Sequence, residues 1–190
     1  AQSVMNERFG RPFYETPEGE LREAGFVILA MGKLGGRELN FSSDIDLLFF
    51  YTDEGRTEGG RSTSASNEEY FCKLGELIIK TLSERTADGL IFRVDMRLRP
   101  HGRIGPLAVS FNVAVDYYHN FGRAWERQAL IKARPCAGDL ELGESFLQQM
   151  RPFVFPRYFD DRTLEDIRET KQQTEALIAR QGQTEREVKL

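Results

Sequence analysis

The sequence predicts a mixed α/β (α+β) fold, in which a sheet formed by the first half of the chain is followed by a helical segment. Three features indicate this fold. Residues 26–31 and 44–51 are apolar runs with the length of buried strands, and residues 92–99 alternate between apolar and polar side chains. After residue 111 the apolar residues recur at helical spacing instead. The chain has 190 residues, 40% of them hydrophobic, which is enough for one domain with a core and a helical appendage.

The elements of the first half follow from local signals. Residues 1–24 are polar and contain Pro12 and Pro17, so we expect a leader or loop there. A glycine-rich turn with a short helix around 36–39 separates the two apolar strands. Residues 52–65 combine glycine, serine, threonine and charged residues without periodicity, which predicts a poorly ordered loop.

Helix signals dominate the rest of the chain. Ser66 and Glu69 form a capping box for a helix, and Pro100 ends the strand that follows it. The later elements expected are a return strand at 107–110, helices at 112–121, 124–133 (closed by Pro135) and 139–152 (ended by Pro152), and a last helix capped by Thr163 and Asp166.

These elements divide the chain into a leader at 1–24, an α/β domain at 25–135 and a helical extension at 136–190. The sequence does not begin with Met and stops inside a helical pattern, so we expect a fragment of a longer protein.

The composition argues against several classes of function. The net charge of −4 makes bulk attraction to nucleic acid unexpected. No apolar run has the length of a membrane span and no signal peptide precedes the first element, so we expect a cytoplasmic protein. Cys72 and Cys136 lack metal-site spacing and are expected to be reduced thiols, and His101 and His119 are too isolated for a zinc site.

Two carboxylates define the candidate site. Asp44 and Asp46 begin the second strand, so their side chains point to one face, with Cα atoms roughly 6.6 Å apart. Ile45 and Leu47 point the other way, into a core. At an effective dielectric constant of about 20, unit charges about 4 Å apart repel by about 4 kcal/mol. Because Mg²⁺ or Mn²⁺ relieves this repulsion and binds substrate phosphates, the pair predicts metal-dependent phosphoryl or nucleotidyl transfer.

The third strand adds another carboxylate. Asp95 shares its polar face with Arg93, Arg97 and Arg99, and one acid among three arginines is an unusual mixture for a face that is merely solvated. We expect Asp95 to bind the cation together with the first two carboxylates, and Arg97 and Arg99 to hold phosphate oxygens. For Arg93, solvation and function stay equally open.

The glycine turn has two interpretations. Gly35 and Gly36 allow close backbone approach to a phosphate at a helix N-terminus, or they form a tight turn between strand and helix. Ser43 binds a phosphate or caps the entry to the strand. The order of residues matches neither a P-loop nor a dinucleotide-binding fingerprint.

These motifs together resemble known proteins. A glycine turn, two aspartates on a strand and one aspartate on a later strand form the pattern of nucleotidyltransferases of the DNA polymerase β type. Three blocks are similar to the glutamine synthetase adenylyltransferase family: AMGKLGGRELNFSSDID at 30–46, VDMRLRP at 94–100 and AWERQALIKAR at 124–134. The resemblance covers residues 26–140.

The resemblance implies a reaction and its partners. Proteins of this family carry two nucleotidyltransferase domains, of which one attaches AMP to a tyrosine of glutamine synthetase and the other removes it by phosphorolysis, releasing ADP. The blocks resemble the N-terminal, deadenylylating copy more closely. Residues 25–135 are then a nucleotidyltransferase domain that acts on adenylylated glutamine synthetase and phosphate, with Asp44, Asp46 and Asp95 as ligands of Mg²⁺ (or Mn²⁺). The family also implies PII-type signalling proteins as regulators of this step in nitrogen assimilation.

Two alternatives stay open. The same fold can work in the adenylylating direction with ATP as the donor, or the chain can be a regulatory docking module that has lost catalysis. In the third block, Glu126, Arg127 and Lys132 are either site residues or part of ordinary helix packing.

Overall fold

The computed structural model describes residues 1–41, 43–87 and 89–157, and isolated helical positions at 165, 168, 171–172, 175–176 and 179. The elements of these residues are, in chain order, α1 (Gln2–Phe9), β1 (Gly10–Glu15), β2 (Leu21–Glu23), β3 (Phe26–Ala30), α2 (Gly32–Gly35), β4 (Ile45–Tyr51), β5 (Arg56–Gly59), α3 (Asn67–Ser83), β6 (Arg85–Thr86), β7 (Gly89–Leu90), β8 (Val94–Asp95), a 3₁₀ turn (Gly102–Ile104), β9 (Ala108–Ser110), α4 (Phe111–Phe121), α5 (Ala124–Leu130), β10 (Arg134–Gly138) and α6 (Leu140–Val154). The expected caps of a last helix, Thr163 and Asp166, lie outside the described residues. None of the described helices is long and apolar enough to span a membrane.

The main sheet contains both parallel and antiparallel strands. Its strands follow the order β10-β3-β4-β8, and β9 also pairs with β4. Strands β10, β3 and β4 are antiparallel neighbours, whereas β8 and β9 run parallel to β4. Strand β8 pairs with the first residues of β4, and β9 pairs with the last ones. This arrangement leaves the beginning of β4 beside β8, where the candidate site lies.

Helices cover both faces of the main sheet. Alternate residues of β4 serve the two sides: Ile45 and Leu47 belong to the core under α3, and Leu48 and Phe50 belong to the core under α4 and α6. The Phe50 ring packs 4.4 Å, centroid to centroid, from Phe146 of α6. The prediction that Ile45 and Leu47 face a core is therefore confirmed, and Asp46 lies by alternation on the same side as Leu48.

The expectation of a leader or loop at 1–24 is wrong. Strand β1 pairs with β2 and with β5, and these strands form a second, antiparallel sheet. Helix α1 packs against α3 with Met5 and Phe9 buried, and Asn6 accepts a hydrogen bond from the hydroxyl of Tyr70. The sequence signal was weak because β2 is fully exposed and its stability depends on backbone pairing, which leaves no apolar periodicity.

The expectation of a poorly ordered loop at 52–65 is also wrong. Strand β5 lies within it, and Thr57 and Ala65 are buried. The Thr57 amide donates to the Ala65 carbonyl (2.9 Å), and the Ala65 amide donates to the Thr57 hydroxyl (3.0 Å). Gly55 lies so close to β1 that a Cβ there would be 1.9 Å from the carbonyl oxygen of Phe13. Polar side chains and glycines pack here because their backbones pair, which composition alone does not reveal.

The helix starts are predicted well and the helix ends less well. The Ser66 hydroxyl accepts from the Glu69 amide (3.1 Å), and the Asp139 carboxylate accepts from the Leu142 amide (3.0 Å), so both predicted caps are confirmed. Pro152 does not end α6, which continues to Val154.

Two predicted segments have different structures. The alternating segment 92–99 contains only the short strand β8, and α5 ends at Leu130 rather than at residue 133. Pro135 does not interrupt the secondary structure, because it lies within β10 at the edge of the main sheet. A bulge between Pro135 and Ala137 accommodates the N–H group that proline lacks.

Candidate functional site

The pairing of β4 with β8 places two of the predicted carboxylates side by side. Ile45 pairs with Val94 and Asp46 pairs with Asp95, and the Ile45 amide donates to the carbonyl of Arg93 (2.9 Å). Paired residues of neighbouring strands point to the same face and lie about 4.8 Å apart. Asp46 and Asp95 therefore share a face at the beginning of β4.

The sequence suggests that Asp44 begins the strand, but in the structure it lies immediately before β4. Its carboxylate is nevertheless close enough to Asp95 to oppose the ionisation of that group. The chain thus brings all three predicted carboxylates to one end of β4.

Arginines engage two of these carboxylates. Arg93 Nε donates to Asp44 Oδ1 at 2.6 Å. Arg97 Nε contacts Asp95 Oδ1 (3.0 Å) and Oδ2 (2.8 Å), Arg97 Nη2 lies 2.5 Å from Oδ2, and the Arg97 amide donates to Oδ1 (2.9 Å). The Asp44 and Asp95 side chains are 25% and 14% exposed, whereas those of Arg93 and Arg97 are 64% and 63% exposed. The carboxylates are therefore largely buried, whereas the arginine side chains that bond them are mostly exposed.

The electrostatics of the cluster follow from these contacts. The hydrogen bonds from the Arg97 side chain hold the pKa of Asp95 below its usual range, against the opposing effects of burial and of the Asp44 charge. The pKa of Arg97 is raised, first by its bond to Asp95 and further by the charges of Asp46 and Asp44. All three carboxylates thus act on the same guanidinium group.

The glycine turn packs directly against Asp46. The Met31 amide donates to the Asp46 carbonyl (2.9 Å), and a Cβ on Gly32, whose φ is +51°, would lie 3.0 Å from Asp46 Oδ2. The amides of Gly35 and Gly36 donate within α2, to Met31 O (2.9 Å) and Gly32 O (3.0 Å). The short helix is α2 at Gly32–Gly35, not at 36–39 as expected.

Gly35 has a clear packing role. A Cβ there would lie 2.1 Å from the carbonyl oxygen of Lys132 and 2.6 Å from that of Ala30. Close backbone contact therefore accounts for this glycine, and phosphate binding by Gly35 and Gly36 stays a prediction.

Arg99 has partners that the sequence could not indicate. Since β8 ends at Asp95, Arg99 lies in the following turn rather than on a strand face. Its guanidinium donates to backbone carbonyls only a few residues away: those of Met96 (2.7 Å), Arg103 (3.1 Å), Gly105 (3.1 Å) and Pro106 (3.1 Å). These bonds organise the loop after Asp95, and a phosphate contact of Arg99 stays a prediction.

Ser43 lies beside a cleft of about 520 Å³ that opens next to Arg93. The cleft is otherwise lined mainly by apolar side chains, including the fully exposed Phe41, together with Leu39, Ile91 and Phe92. The structure therefore places Ser43 in the lining of this cleft, and its phosphate contact stays a prediction.

The third sequence block closes onto the glycine turn. Arg134 Nε and Nη2 donate to the carbonyls of Gly35 (3.2 Å) and Leu34 (3.3 Å), and Lys132 Nζ pairs with Glu38 Oε2 at 2.8 Å. The sequence does not mark Arg134 as a support of this turn, because its partners lie about 100 residues earlier in the chain. The block thus supports the turn that touches Asp46.

The contacts of Glu126, in the same block, hold helices together. Its side chain is buried, and it accepts bonds from the Tyr117 hydroxyl (2.8 Å) and from the Arg123 amide (2.9 Å), which caps the start of α5. Arg127 places its guanidinium 5.1 Å from the centre of the Phe153 ring. Helix packing therefore accounts for the contacts of both residues.

The donor set suits a hard cation, although the side chains are not arranged as a finished metal site. Across the described ranges, no group of three or more His, Cys, Asp or Glu side chains has the geometry to hold a metal ion. Asp46 and Asp95 nevertheless share a face, and carboxylate oxygens are the ligands that Mg²⁺ and Mn²⁺ prefer. The residues present therefore offer two neighbouring carboxylates to such a cation, and a third ligand from Asp44 stays a prediction.

Comparisons with known proteins agree with the sequence resemblance. The model of a family described as glutamate-ammonia ligase adenylyltransferase matches residues 1–149. Curated proteins named bifunctional glutamine synthetase adenylyltransferase/adenylyl-removing enzyme are similar to this chain. The one from Nitrosococcus oceani is 49% identical over 169 residues, covering 88% of this chain and 17% of the relative. Those from Hahella chejuensis and Pseudomonas aeruginosa are 46% and 48% identical over 179 residues, each covering 94% of this chain and 18% of the relative. The chain thus spans less than a fifth of the length of these relatives.

Proposed function

The chain belongs to the glutamate-ammonia ligase adenylyltransferase family, and on that premise we propose that it is a nucleotidyltransferase domain that removes AMP from adenylylated glutamine synthetase by phosphorolysis. The observation that carries the proposal is the register of β4 and β8, which sets Asp46 beside Asp95 with Asp44 adjoining. A site of this kind gathers negative charge where a phosphate-bearing substrate has to bind, and such a site requires a cation.

In this proposal Asp44, Asp46 and Asp95 hold Mg²⁺ (or Mn²⁺). When bound, the cation would stabilise the negative charge on the transferred adenylyl phosphate and on the attacking and leaving oxygens. Among the chain's own residues, Arg97 is suited to hold the attacking phosphate, because its guanidinium lies beside Asp95 and its side chain is 63% exposed. Gly35 and Gly36 shape the turn beside Asp46, since their amides donate hydrogen bonds within α2.

The reaction is a direct exchange at phosphorus. An oxygen of inorganic phosphate attacks the phosphorus of the AMP group, and the bond from that phosphorus to the tyrosyl oxygen breaks. The tyrosyl oxygen takes up a proton and ADP is released. The chain contributes orientation and charge to this step, as in other phosphoryl transfers.

The residues of the first two sequence blocks support the AMP-removing direction of the reaction. The relatives' name includes both an adenylyltransferase and an adenylyl-removing activity. The segments Asn40 to Asp46 and Asp95 to Arg97 resemble the adenylyl-removing copy. The proposal also includes PII-type regulators, as the resemblance implies, and the cytoplasmic location expected from the sequence.

The test uses the full-length protein that carries this chain. With adenylylated glutamine synthetase and phosphate, we expect ADP release that is lost in the double variant Asp44→Asn, Asp46→Asn. Asp53→Asn is the matched control, because Asp53 lies just past the opposite end of β4. The double variant should keep ATP-dependent modification of glutamine synthetase.

If it keeps phosphate-dependent removal and loses ATP-dependent modification, the direction is the reverse of the proposed one. If it keeps both activities, the chain is a docking module.

A further inference from the structure

The two arginine–carboxylate pairs flank the candidate cation site on both sides of β8. Arg93 comes just before β8 and bonds Asp44, whereas Arg97 comes just after it and bonds Asp95. The contacts to Asp95 are numerous: Oδ1 receives the Arg97 amide and Nε, and Oδ2 receives Nε and Nη2. Since a carboxylate offers about four lone-pair directions, these contacts use most of its capacity. A cation that binds Asp95 therefore has to displace part of the Arg97 contact.

The exposures indicate which partner moves. Both arginine side chains are more than 60% exposed, whereas Asp95 is 14% exposed and Asp44 is 25% exposed. A long side chain in solvent can rotate away at little cost, but the carboxylates are fixed beside β4 and β8. Because the arginine of each pair lies largely in solvent, we expect the pair to change an equilibrium constant by about fivefold or less, as surface ion pairs do. The arginine contacts are thus strong enough to compete with a cation and weak enough to yield to it.

A displaced guanidinium remains at the site. Arg97 is tethered to the turn that directly follows Asp95, and its planar fork matches the geometry of phosphate oxygens. Bound phosphate would in turn hold Arg97 away from Asp95 and leave that carboxylate to the cation. By linkage, each ligand then strengthens the binding of the other.

We propose that Arg93 and Arg97 are exchangeable counterions that couple cation binding to phosphate binding, with Arg97 passing from Asp95 to the phosphate. The proposal rests on the function proposed above. In it Arg97 binds the phosphate of that reaction directly, whereas Arg93 acts through Asp44.

The test is a Mn²⁺ titration of the full-length protein, with free Mn²⁺ measured by electron paramagnetic resonance, in the presence and absence of inorganic phosphate. The same titration of Asp46→Asn corrects for Mn²⁺ bound by phosphate itself or at other sites. In the unmodified protein, phosphate should lower the Kd for Mn²⁺. In Arg97→Gln, the Kd without phosphate should be about two- to fivefold lower than in the unmodified protein, and phosphate should no longer lower it.

Two further variants separate charge from geometry. Arg97→Lys keeps the charge but loses the fork, so its Kd without phosphate should stay near that of the unmodified protein while the effect of phosphate weakens. Arg61→Gln removes the same charge from an exposed pair with Glu7 next to the smaller sheet, and it should behave like the unmodified protein.

Weaker Mn²⁺ binding in Arg97→Gln would overturn the proposal, because it would show that Arg97 holds Asp95 ready for the cation. A phosphate effect that persists unchanged in Arg97→Gln would overturn it as well. If the unmodified protein has no Mn²⁺ site that depends on Asp46, the cation chemistry of the proposed function fails too. If that site and phosphate-dependent ADP release are both present and the arginine variants change nothing, the coupling alone is refuted.

Discussion

Neighbouring glycines in the turn beside Asp46 should respond very differently to alanine. In Gly35→Ala the new Cβ would lie 2.1 Å from Lys132 O and 2.6 Å from Ala30 O, which are both backbone atoms with little freedom to move. Overpacking costs typically about 1–3 kcal/mol, and contacts with two backbone carbonyls place this variant at about 3 kcal/mol. For a chain of this size, that corresponds to a Tm lower by about 6–12 °C.

Gly36→Ala is the matched control. Its Cβ would lie 3.0 Å from Lys132 Cδ and 3.4 Å from the Glu38 carboxylate, which belong to flexible side chains, and its φ of −74° suits alanine. We expect its free energy of unfolding to stay within about 1 kcal/mol of the unmodified protein, because alanine also lowers the entropy of the unfolded chain.

Urea unfolding of both variants, with phosphate-dependent ADP release measured in parallel, separates packing from ligand binding. Equal stabilities for the two variants would refute the packing explanation of Gly35. A Gly36→Ala protein of normal stability without ADP release would instead support phosphate binding by this glycine.

Other substitutions test the site and its supports. Asp46→Asn should abolish turnover yet leave the Tm unchanged or slightly higher, since it removes one of several neighbouring negative charges; turnover at saturating Mn²⁺ would contradict its role. Arg134→Gln should lower the free energy of unfolding by about 1–3 kcal/mol in urea titrations, because the carbonyls of Leu34 and Gly35 lose their donor, and a loss below about 0.5 kcal/mol would contradict this support. Burial raises the pKa of Tyr70 to about 12, so the stability due to its neutral hydroxyl is complete below about pH 10 and is lost as the pH rises through about 12. Tyr70→Phe should flatten part of this alkaline loss in unfolding curves between about pH 9 and pH 12; an identical slope would argue against it.

The sequence predicts those parts of the fold in which side-chain burial sets the pattern. The apolar runs of β3 and β4 and the capped, periodic helix α3 are found close to their expected positions. The smaller sheet is missed because its strands are held by backbone pairing, and β2 exposes all of its residues. Strand β10 is missed because Pro135 normally ends an element, and only its place at the edge of the sheet makes it acceptable.

The candidate site is predictable to a similar degree. The two-residue alternation of side chains along a strand is enough to suggest that Asp46 and Asp95 meet. When two strands pair, residues opposite each other point to the same face, as Asp46 and Asp95 do. The partners of Arg99 and Arg134 are backbone carbonyls in a turn and in a distant helix, and no residue pattern marks a carbonyl as an acceptor. For Arg93 the sequence leaves solvation and function equally open, because its contact with Asp44 depends on the parallel pairing of two segments that are 49 residues apart.

The central claim is that Asp46 and Asp95, with Asp44 beside them, form the cation site of a nucleotidyltransferase domain. Its most direct test is anomalous diffraction from crystals of the full-length protein grown with Mn²⁺ and phosphate. We predict an anomalous peak about 2–2.5 Å from carboxylate oxygens of both Asp46 and Asp95, with the Arg97 guanidinium turned from Asp95 towards phosphate. A Mn²⁺ ion bound elsewhere, with Arg97 still bonded to both oxygens of Asp95, would contradict the claim.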